Sequence, residues 1–572
     1  MRQQRTQTVE QQFDPITLEV LWNRLIAIVD EAAVGLVRTS FSTVVRESND
    51  FACVLTDREG NSVAQSSLSV PSFLGTIPIT VKHFLRKFPV ETLRPGDVIV
   101  TNNPWLASGH LPDTTIAMPI FHRDEVTGFA AVTSHKPDIG GRVRSADATE
   151  LYEEGLHIPP MKLYRAGEPN ETLLELLQTN VRIPEQVIGD LMADVTTARS
   201  MGGRLLGLLD EYHLPGLTDL ARTVQDRSEA AMRASILAVP DGDYQDEAGL
   251  DGFDEPIRIR LKVSVRGDSI HLDYTGSSPQ VARSLNSVHN YTYAYSVFPL
   301  KALLNAEIPN NQGCFKPFSV YAPQGTILNP RPPAPVGGRV LVGHALHAVI
   351  FGALAGVLPD RAQADSSGPL WSFHFTGEAE DGVAAGSASL SGSDGQTGTP
   401  RAGSRYAFLS FVNGGKGASV QGDGLDVTAF PGNISNTPVE IIEVSGPVLI
   451  EEKALRVGSG GPGRFRGGCG QELTVRLAGS KEARAVFLVE RTAHPPRGRL
   501  GGGSGAPGRI TVNGEPTHPK LPVVLRPGDR VRIELPGGGG VGDPKERDRD
   551  LVRRDVAWGL VSADEAREVY GL

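Results

Sequence analysis

The sequence predicts a mixed α+β fold: a helical and hairpin-rich N-terminal part, then a β-rich, glycine-rich C-terminal part. Three observations support this prediction. Apolar residues recur at helical spacing over residues 14–38, and two apolar runs flank a polar break within residues 114–134. Short apolar runs alternate with glycine-rich turns over residues 439–535. The 65 glycines and 41 prolines favour many strands and turns over a helical bundle.

Residues 13–238 form a predicted α/β region that carries the site hairpin, and residues 239–365 form an α/β middle region. A β-rich region follows over 366–545, and a C-terminal helix closes the chain over 546–572. Periodicity and turn residues predict these elements in order: helix 14–38, opened by Asp14 as N-cap; strand 51–57; helix 78–88; strand 98–101; helices within 171–209, interrupted at Pro184; helix 220–238; paired strands 257–265 and 270–274; helices 291–306 and 340–358; an exposed Gly/Ser loop 386–398; a β-sandwich or barrel-like part 439–535; and a charged helix 548–571.

Composition and charge narrow the classes of function. A net charge of −10 and a pI near 5.8 argue against nucleic acid or an anionic membrane as a partner. The longest apolar run, residues 345–358, is shorter than the ~20 residues of a membrane-spanning helix. Residues 1–12 lack the apolar core of a secretory signal, and the three cysteines are far apart. We therefore expect a cytoplasmic protein.

The candidate site lies within residues 102–141, where a His-x-Pro-Asp tetrapeptide occurs twice, at 110–113 and at 135–138. The proline in each copy disfavours a helix, so each reads as a stiff loop at the end of a strand. If the hairpin turn is centred near Glu125, Asp113 falls opposite Pro137. The two tetrapeptides then meet at the open end of the hairpin, where paired strands lie about 5 Å apart.

Two imidazoles and two carboxylates at one point suit Zn, Mn or Fe, and no thiolate is needed. The alternative is structural: the histidines cap strand ends and the aspartates close turns. His213-Leu214-Pro215 repeats the first three residues but ends in Gly216, so a single copy is uninformative. The doubled motif favours a metal site.

Other polar residues flank the hairpin in the sequence. Asp50 precedes a buried strand, Asn103 follows strand 98–101, and Glu154 belongs to a proline-rich loop. We predict that these three side chains contact the substrate, although the cluster around Asp50 could equally be a solvated loop. His344 and His347 lie on an apolar helix, which favours core or boundary histidines over ligands.

The glycine-rich segments do not predict a nucleotide site. Residues 458–463 match G-x-G-x-x-G as a string, but the stretch contains proline and does not lead into a helix. The sequence contains no G-x-x-x-x-G-K-[ST]. The chain therefore shows no P-loop and no dinucleotide-binding motif.

Taken together, these motifs resemble the hydantoinase B/oxoprolinase family over residues 13–545. The matching stretches are Asp14-Pro15-Ile16, residues 47–51, 102–104, 110–113 and 135–141, residues 154–163 and 180–186, Pro333-Ala334-Pro335-Val336, residues 461–468 and residues 536–544. Many offsets recur in the right order, which makes the resemblance far more specific than any single motif.

The resemblance implies a two-subunit enzyme. A hydantoinase A-type subunit would bind ATP and activate a cyclic amide, and this B-type chain would bind a divalent metal, Zn or Mn or else Fe, and complete ring opening. By position, His110, Asp113 and His135 would be ligands, with Asp138 as a fourth ligand or the catalytic base. The family also includes subunits of acetone and acetophenone carboxylases, so an ATP-dependent ketone carboxylase is the alternative. A non-catalytic scaffold subunit is a third reading.

Overall fold

The computed structural model describes residues 13–142, 144–379 and 405–572. The predicted Gly/Ser loop at 386–398 lies outside these residues. The first part of the chain contains α1 (Pro15–Thr39), α2 (Thr43–Arg46), β1 (Phe51–Asp57), β2 (Ser62–Gln65), α3 (Pro71–Lys87), β3 (Val98–Thr101), β4 (Asp113–His122), β5 (Glu125–His135), β6 (Met161–Arg165), β7 (Glu168–Pro169), α4 (Glu171–Asn180), α5 (Pro184–Glu211) and α6 (Thr218–Leu237).

The strands of this part form one antiparallel sheet in the order β2-β1-β5-β4-β3-β6-β7. As predicted, α1 begins after Asp14, whose side chain accepts from the backbone N–H groups of Ile16 and Thr17. Its apolar face is buried in the core that covers the sheet. Strands β4 and β5 lie inside the sheet and are buried along most of their length, so their ends hold site residues rigidly.

The β4–β5 hairpin forms as predicted, but its register is two residues from the prediction. Asp113 pairs with His135 and not with Pro137. The turn residues are Arg123 and Asp124, both with positive φ (52° and 67°), which matches a two-residue hairpin turn. A shift by two residues leaves every side chain on its predicted face of the sheet. It also brings the imidazole of His135 directly beside Asp113.

The middle of the chain contains β8 (Gly242–Leu250), β9 (Ile257–Arg266), β10 (Ser269–Asp273), α7 (His289–Leu304), α8 (Gln312–Phe315), β11 (Phe318–Tyr321), α9 (Val340–Gly343) and α10 (Leu346–Leu354). The four strands form a second sheet in the order β11-β10-β9-β8. The single helix predicted over 340–358 is instead two short helices separated at His344 and Ala345. His344, at the break between the two helices, lines a cavity at the candidate site.

The last part contains β12 (Trp371–Ala379), β13 (Arg405–Val412), α11 (Val439–Ser445), β14 (Val448–Leu455), β15 (Gln471–Leu477), β16 (Ser480–Leu488), β17 (Arg509–Val512), β18 (Glu515–Pro516), β19 (Val523–Leu525), β20 (Arg530–Glu534), α12 (Arg549–Ala557) and α13 (Ala563–Glu568). The strands form sheets β13-β12-β16-β19 and β14-β15-β20-β17-β18. Apolar residues of both sheets share one core, so this part is a β-sandwich.

Two predictions for this part need correction. The stretch predicted as strands from residue 439 begins with the helix α11, which follows Pro438. The predicted C-terminal helix is two helices, because the chain turns at residues 558–562 and Ser562 caps α13. Among the described residues, no helix combines the length and the apolar character that crossing a bilayer would require.

Beside the sandwich, the glycine-rich segments pack against one another as a bundle of extended chains. Residues 537–540 run through its middle. A Cβ on them would meet, in order, the carbonyl oxygens of Ser459, Lys416, Arg497 and Pro462 at 1.9–2.2 Å. Ser459 and Pro462, which face Gly537 and Gly540, belong to the same segment. The central chain therefore completes one turn every three residues, as in polyproline II. The stretch 458–463 is part of this bundle and precedes no helix, which agrees with rejecting it as a nucleotide motif.

Candidate metal centre

The two His-x-Pro-Asp loops meet at the open end of the β4–β5 hairpin. Asp113 is the first residue of β4 and His135 the last residue of β5, and the register places them opposite each other. His110 lies in the loop before β4, and its ring centroid is 5.0 Å from that of His135. All three side chains are almost fully buried. Both histidines and Asp113 therefore converge as predicted, but Asp138, the second aspartate of the predicted cluster, does not join them.

The potential ligand atoms of His110, Asp113 and His135 all lie within 4.8 Å of one another. The Oδ1 atom of Asp113 is 2.7 Å from His110 Nε2 and 2.9 Å from His135 Nδ1. Two imidazole nitrogens and a carboxylate oxygen are donors that Zn, Mn and Fe accept in proteins. The cluster can therefore hold a divalent metal.

The surroundings of His110 support a cation at this point. Burial, together with the nearby Arg339, lowers the pKa of His110 to about 3, so the ring is neutral at pH 7. A neutral imidazole has one N–H, yet both of its nitrogens face oxygens: Nδ1 lies 3.1 Å from the Gly337 carbonyl and Nε2 lies 2.7 Å from Asp113. One lone pair must therefore point at an oxygen. A cation shared by Nε2 and Asp113 removes this repulsion.

Arg339 fixes the second oxygen of the carboxylate. Its Nη2 donates to Asp113 Oδ2, its Nε donates to the Ser108 carbonyl at 2.7 Å, and its guanidinium lies 4.1 Å from the centre of the Tyr291 ring. Burial alone would raise the pKa of Asp113, but His110 and Arg339 hold it well below the ordinary value. Asp113 is therefore ionised and directs Oδ1 at the two histidines.

Asp50 adds a second buried carboxyl group beside the cluster. Its Oδ2 is 3.9 Å from His135 Nδ1, and its backbone carbonyl accepts from the His135 N–H at 3.0 Å. Burial, with a contribution from the Asp113 carboxylate, raises the pKa of Asp50 to about 6. Asp50 and the three potential ligands line one small cavity, the first of two at this site.

Glu154 holds the loop that positions His110. Its Oε1 accepts from the backbone N–H groups of Val336 and Gly337 at 2.8 and 2.9 Å and from the Ser284 hydroxyl. Because the Gly337 carbonyl faces His110 Nδ1, Glu154 orients this ring indirectly. Oε2 of Glu154 has no hydrogen-bond partner among the described residues, and the side chain lines a second cavity.

Glu154 should make stability depend on pH. Burial raises its pKa from 4.5 to about 7, so the folded chain holds this proton more tightly than the unfolded chain does. Its stabilising contribution is complete below about pH 4.5 and is lost as the pH rises through about 7. Glu154→Gln removes the titration. We expect its unfolding free energy, relative to wild type, to increase by about 2–3 kcal/mol between pH 5 and pH 8.

Urea unfolding at pH 5, 6, 7 and 8, with saturating metal, measures this difference. Glu153→Gln is the control, because Glu153 is half-buried and its pKa is lowered through its hydrogen bonds to Thr149. This control should not gain stability as the pH rises. Parallel curves for wild type and Glu154→Gln would contradict the prediction.

Asp138 and Asn103 lie outside the three-residue cluster. Asp138 is in the wall of the second cavity, where its Oδ1 accepts from the Gly140 N–H at 3.1 Å and from Arg182 Nη1 at 2.8 Å. Asn103 Oδ1 accepts from the Trp105 N–H at 3.0 Å and closes the turn after β3. The base role of Asp138 and the substrate contact of Asn103 remain predictions.

His344 and His347 are buried, in agreement with the core reading. His347 Nδ1 donates to the His344 carbonyl at 2.7 Å, and its Nε2 accepts from the Ser366 N–H at 3.2 Å. Sequence reasoning missed other residues near the centre. They are Arg144, Arg339 and His374, and each lines at least one of the two cavities. The Gly337-Gly338 pair before Arg339 was the one sequence signal, because two glycines permit a close approach of the backbone to the site.

An antiparallel sheet with a buried His–Asp–His cluster at the end of its central hairpin defines a candidate metal-dependent enzyme subunit. Residues 14–544 match the family model for hydantoinase B/oxoprolinase, so the chain belongs to that family. The resemblance seen in the sequence is therefore confirmed.

Known relatives agree with this assignment. The caprolactamase subunit beta of Pseudomonas jessenii is 32% identical, over 98% of this chain and 96% of that one. The 5-oxoprolinase of Saccharomyces cerevisiae is 31% identical, over 94% of this chain but only 42% of that protein.

Two solved structures share the fold. A crystal structure of the ATP-dependent caprolactamase from Pseudomonas jessenii matches with a TM-score of 0.82 and 28% identity, over 98% of this chain and 96% of that one. A nucleotide-free acetone carboxylase matches with a TM-score of 0.83 over 98% of this chain and 79% of that one. Its 18% identity supports similarity of fold alone.

Proposed function

We propose that this chain is the B-type subunit of an ATP-dependent cyclic-amide hydrolase, of the hydantoinase, oxoprolinase or lactamase type. The observation that carries the proposal is the buried His110–Asp113–His135 cluster, which opens onto cavities lined by unpaired polar groups. The family's hydantoinases and oxoprolinases, and the caprolactamase relative, support a hydrolase acting on cyclic amides.

In this proposal His110, Asp113 and His135 hold a divalent metal. Asp50, predicted to contact substrate, is also close enough to the cluster to supply a second carboxylate. Two carboxylates with two neutral imidazoles would balance the charge of a divalent cation. Zn or Mn suits this donor set, as does Fe. The metal would polarise the amide carbonyl and make water a better nucleophile near neutral pH.

The chain's own carboxyl groups would then move protons. Asp138 is our proposed base. Its ion pair with Arg182 fixes the position of the carboxylate in the wall of the cavity. Glu154 is a second candidate, because its pKa of about 7 lets it accept or release a proton at neutral pH. General acid–base catalysis of this kind contributes ~10²–10⁴-fold to the rate.

The proposal assigns ATP to a hydantoinase A-type partner. The sequence contains no P-loop, and the glycine-rich stretch 458–463 packs within the glycine bundle. The caprolactamase relative is named as a beta subunit, and the matching solved structure is described as ATP-dependent. We therefore propose a hetero-oligomer in which the partner activates the amide and this chain completes ring opening.

Reconstitution with the partner tests the proposal. We expect ATP hydrolysis to be coupled to ring opening when both subunits are incubated with hydantoin, 5-oxoproline or caprolactam. The chain alone should show no turnover, because the proposal assigns activation of the amide to the ATP-using partner. Ring opening by this chain without partner or ATP would contradict the proposal. Incorporation of ¹³C-bicarbonate into product would indicate the carboxylase alternative instead.

A further inference from the structure

The second cavity, beside the candidate metal centre, is lined by buried polar atoms that have no hydrogen-bond partner among the described residues. They are Nε and Nη1 of Arg144, both ring nitrogens of His374, and Oε2 of Glu154. Arg144 is 8% exposed, His374 3% and Glu154 6%. Buried polar groups in proteins are nearly always hydrogen-bonded. Three such side chains around one cavity indicate a ligand that completes their hydrogen bonds.

Arg144 differs from the other basic residues in the wall of this cavity. Lys136 forms an ion pair with Asp194 at 2.6 Å, and Arg142 forms one with Asp147 at 3.0 Å. Arg144 has no carboxylate oxygen within 4.0 Å among residues 13–142, 144–379 and 405–572, and only the more distant Asp50 and Asp113 offset its charge. A buried guanidinium without a carboxylate partner is costly, so the cavity favours an anion there.

Arg144 also connects the two cavities. It lines the second cavity together with His374 and the first cavity together with the metal cluster. His135 belongs to both walls as well. A ligand group held by Arg144 would therefore place the rest of the molecule beside the metal ligands.

We propose that Arg144 and His374 form a subsite for an oxyanion of the substrate, either a carboxylate or a phosphoryl group. The inference rests on the proposed function and deepens it by naming the feature of the substrate that is recognised. A guanidinium offers parallel N–H groups that match two oxygens of such an anion. Burial lowers the pKa of His374 to about 3, so the ring is neutral and has one N–H to donate.

A purely structural role for Arg144 predicts a different outcome. Its guanidinium lies 5.2 Å from the centre of the Phe411 ring, so it could serve only to pack against that ring. In that case Arg144→Gln would lower stability without changing affinity for anions.

Ligand binding to the full-length, Mn²⁺-loaded chain tests the subsite without ATP or turnover. Calorimetric titrations would use 5-oxoproline, its uncharged analogue 2-pyrrolidinone, and inorganic phosphate. We expect at least one anion to bind, and Arg144→Gln to weaken it by ~10–100-fold, because a hydrogen bond to a charged group is lost. Binding of 5-oxoproline alone identifies a carboxylate subsite, and binding of phosphate alone a phosphoryl subsite.

Matched variants separate recognition from folding. Arg142→Gln removes a paired arginine of the same wall and should leave anion affinity unchanged. Arg144→Lys keeps the charge and should retain part of the affinity, while His374→Gln should weaken it less than Arg144→Gln. Equal metal content and thermal unfolding temperature establish that a variant is folded and loaded. The subsite is ruled out if neither anion saturates wild type, or if Arg144→Gln binds as tightly as wild type.

The same titrations distinguish this inference from the proposed function. Suppose that anion binding depends on Arg144 but the chain never supports ring opening with its partner. That result would support the subsite and contradict the proposed hydrolase function. Ring opening that is unaffected by Arg144→Gln, with unchanged anion affinity, would keep the hydrolase and reject the subsite.

Discussion

His110→Asn and His135→Asn should each abolish metal binding by the purified chain. Each substitution removes one of two imidazoles from a buried cluster whose ligand atoms lie within 4.8 Å of one another. Loss of an outer partner of a metal ligand typically costs ~10–100-fold in affinity, and we expect loss of a ligand itself to exceed about 100-fold. Elemental analysis should find a stoichiometric metal in wild type and almost none in either variant, and ring opening with the partner should fall in parallel.

His213→Asn is the matched control, because His213 begins the same His-Leu-Pro tripeptide but is exposed. Its backbone has a φ of 54°, a conformation that asparagine tolerates well. This variant should keep the metal content and the activity of wild type. Unchanged metal content in the His110 and His135 variants would favour a scaffold with structural histidines. The same elemental analysis would identify the metal as Zn, Mn or Fe.

Gly538→Ala should destabilise the chain by about 3 kcal/mol or more, or prevent folding. An added Cβ would meet the Lys416 carbonyl oxygen at 2.1 Å and its carbonyl carbon at 2.3 Å. These are backbone atoms of a neighbouring segment, which is itself hydrogen-bonded to the bundle through the Gly468 N–H at 2.9 Å. The clash can therefore be relieved only by separating the chains. Urea unfolding would measure the loss of stability.

Gly203→Ala is the control, since Gly203 lies within α5 and its Cβ would meet nothing within 4 Å. Alanine favours a helix more than glycine does, so this variant should be up to about 1 kcal/mol more stable than wild type. If Gly538→Ala unfolds at the same urea concentration as wild type, residues 537–540 do not form the packed centre of a bundle.

Local sequence signals predicted the site because its core comes from one hairpin. Asp113 and His135 are 22 residues apart and lie on paired strands, so alternation and turn residues were enough to bring them together. The predicted register differs from the observed one by two residues. The polar stretch between the two strands did not show that Arg123 and Asp124 would form the turn. The error did not move any side chain to the other face of the sheet.

Element boundaries were less predictable where neighbouring segments decide them. The helix predicted from residue 78 begins at Pro71, with Pro78 inside it. The apolar stretch 340–358 breaks into two helices, because apolar periodicity does not reveal where a chain must bend around a site. The glycine runs gave no sign of a three-neighbour bundle, because that packing depends on segments that are distant from one another in the chain.

The sequence alone determined the mixed α+β class, the hairpin that carries two histidines and an aspartate, and the family. Tertiary structure decided which charges surround them. Arg339 reaches Asp113 across 226 residues, and Glu154 reaches Gly337 across 183. Such contacts have no local sequence signature, because closing a long loop costs about the same free energy for many alternative partner residues. Only the packing of the whole core determines which of these residues meet.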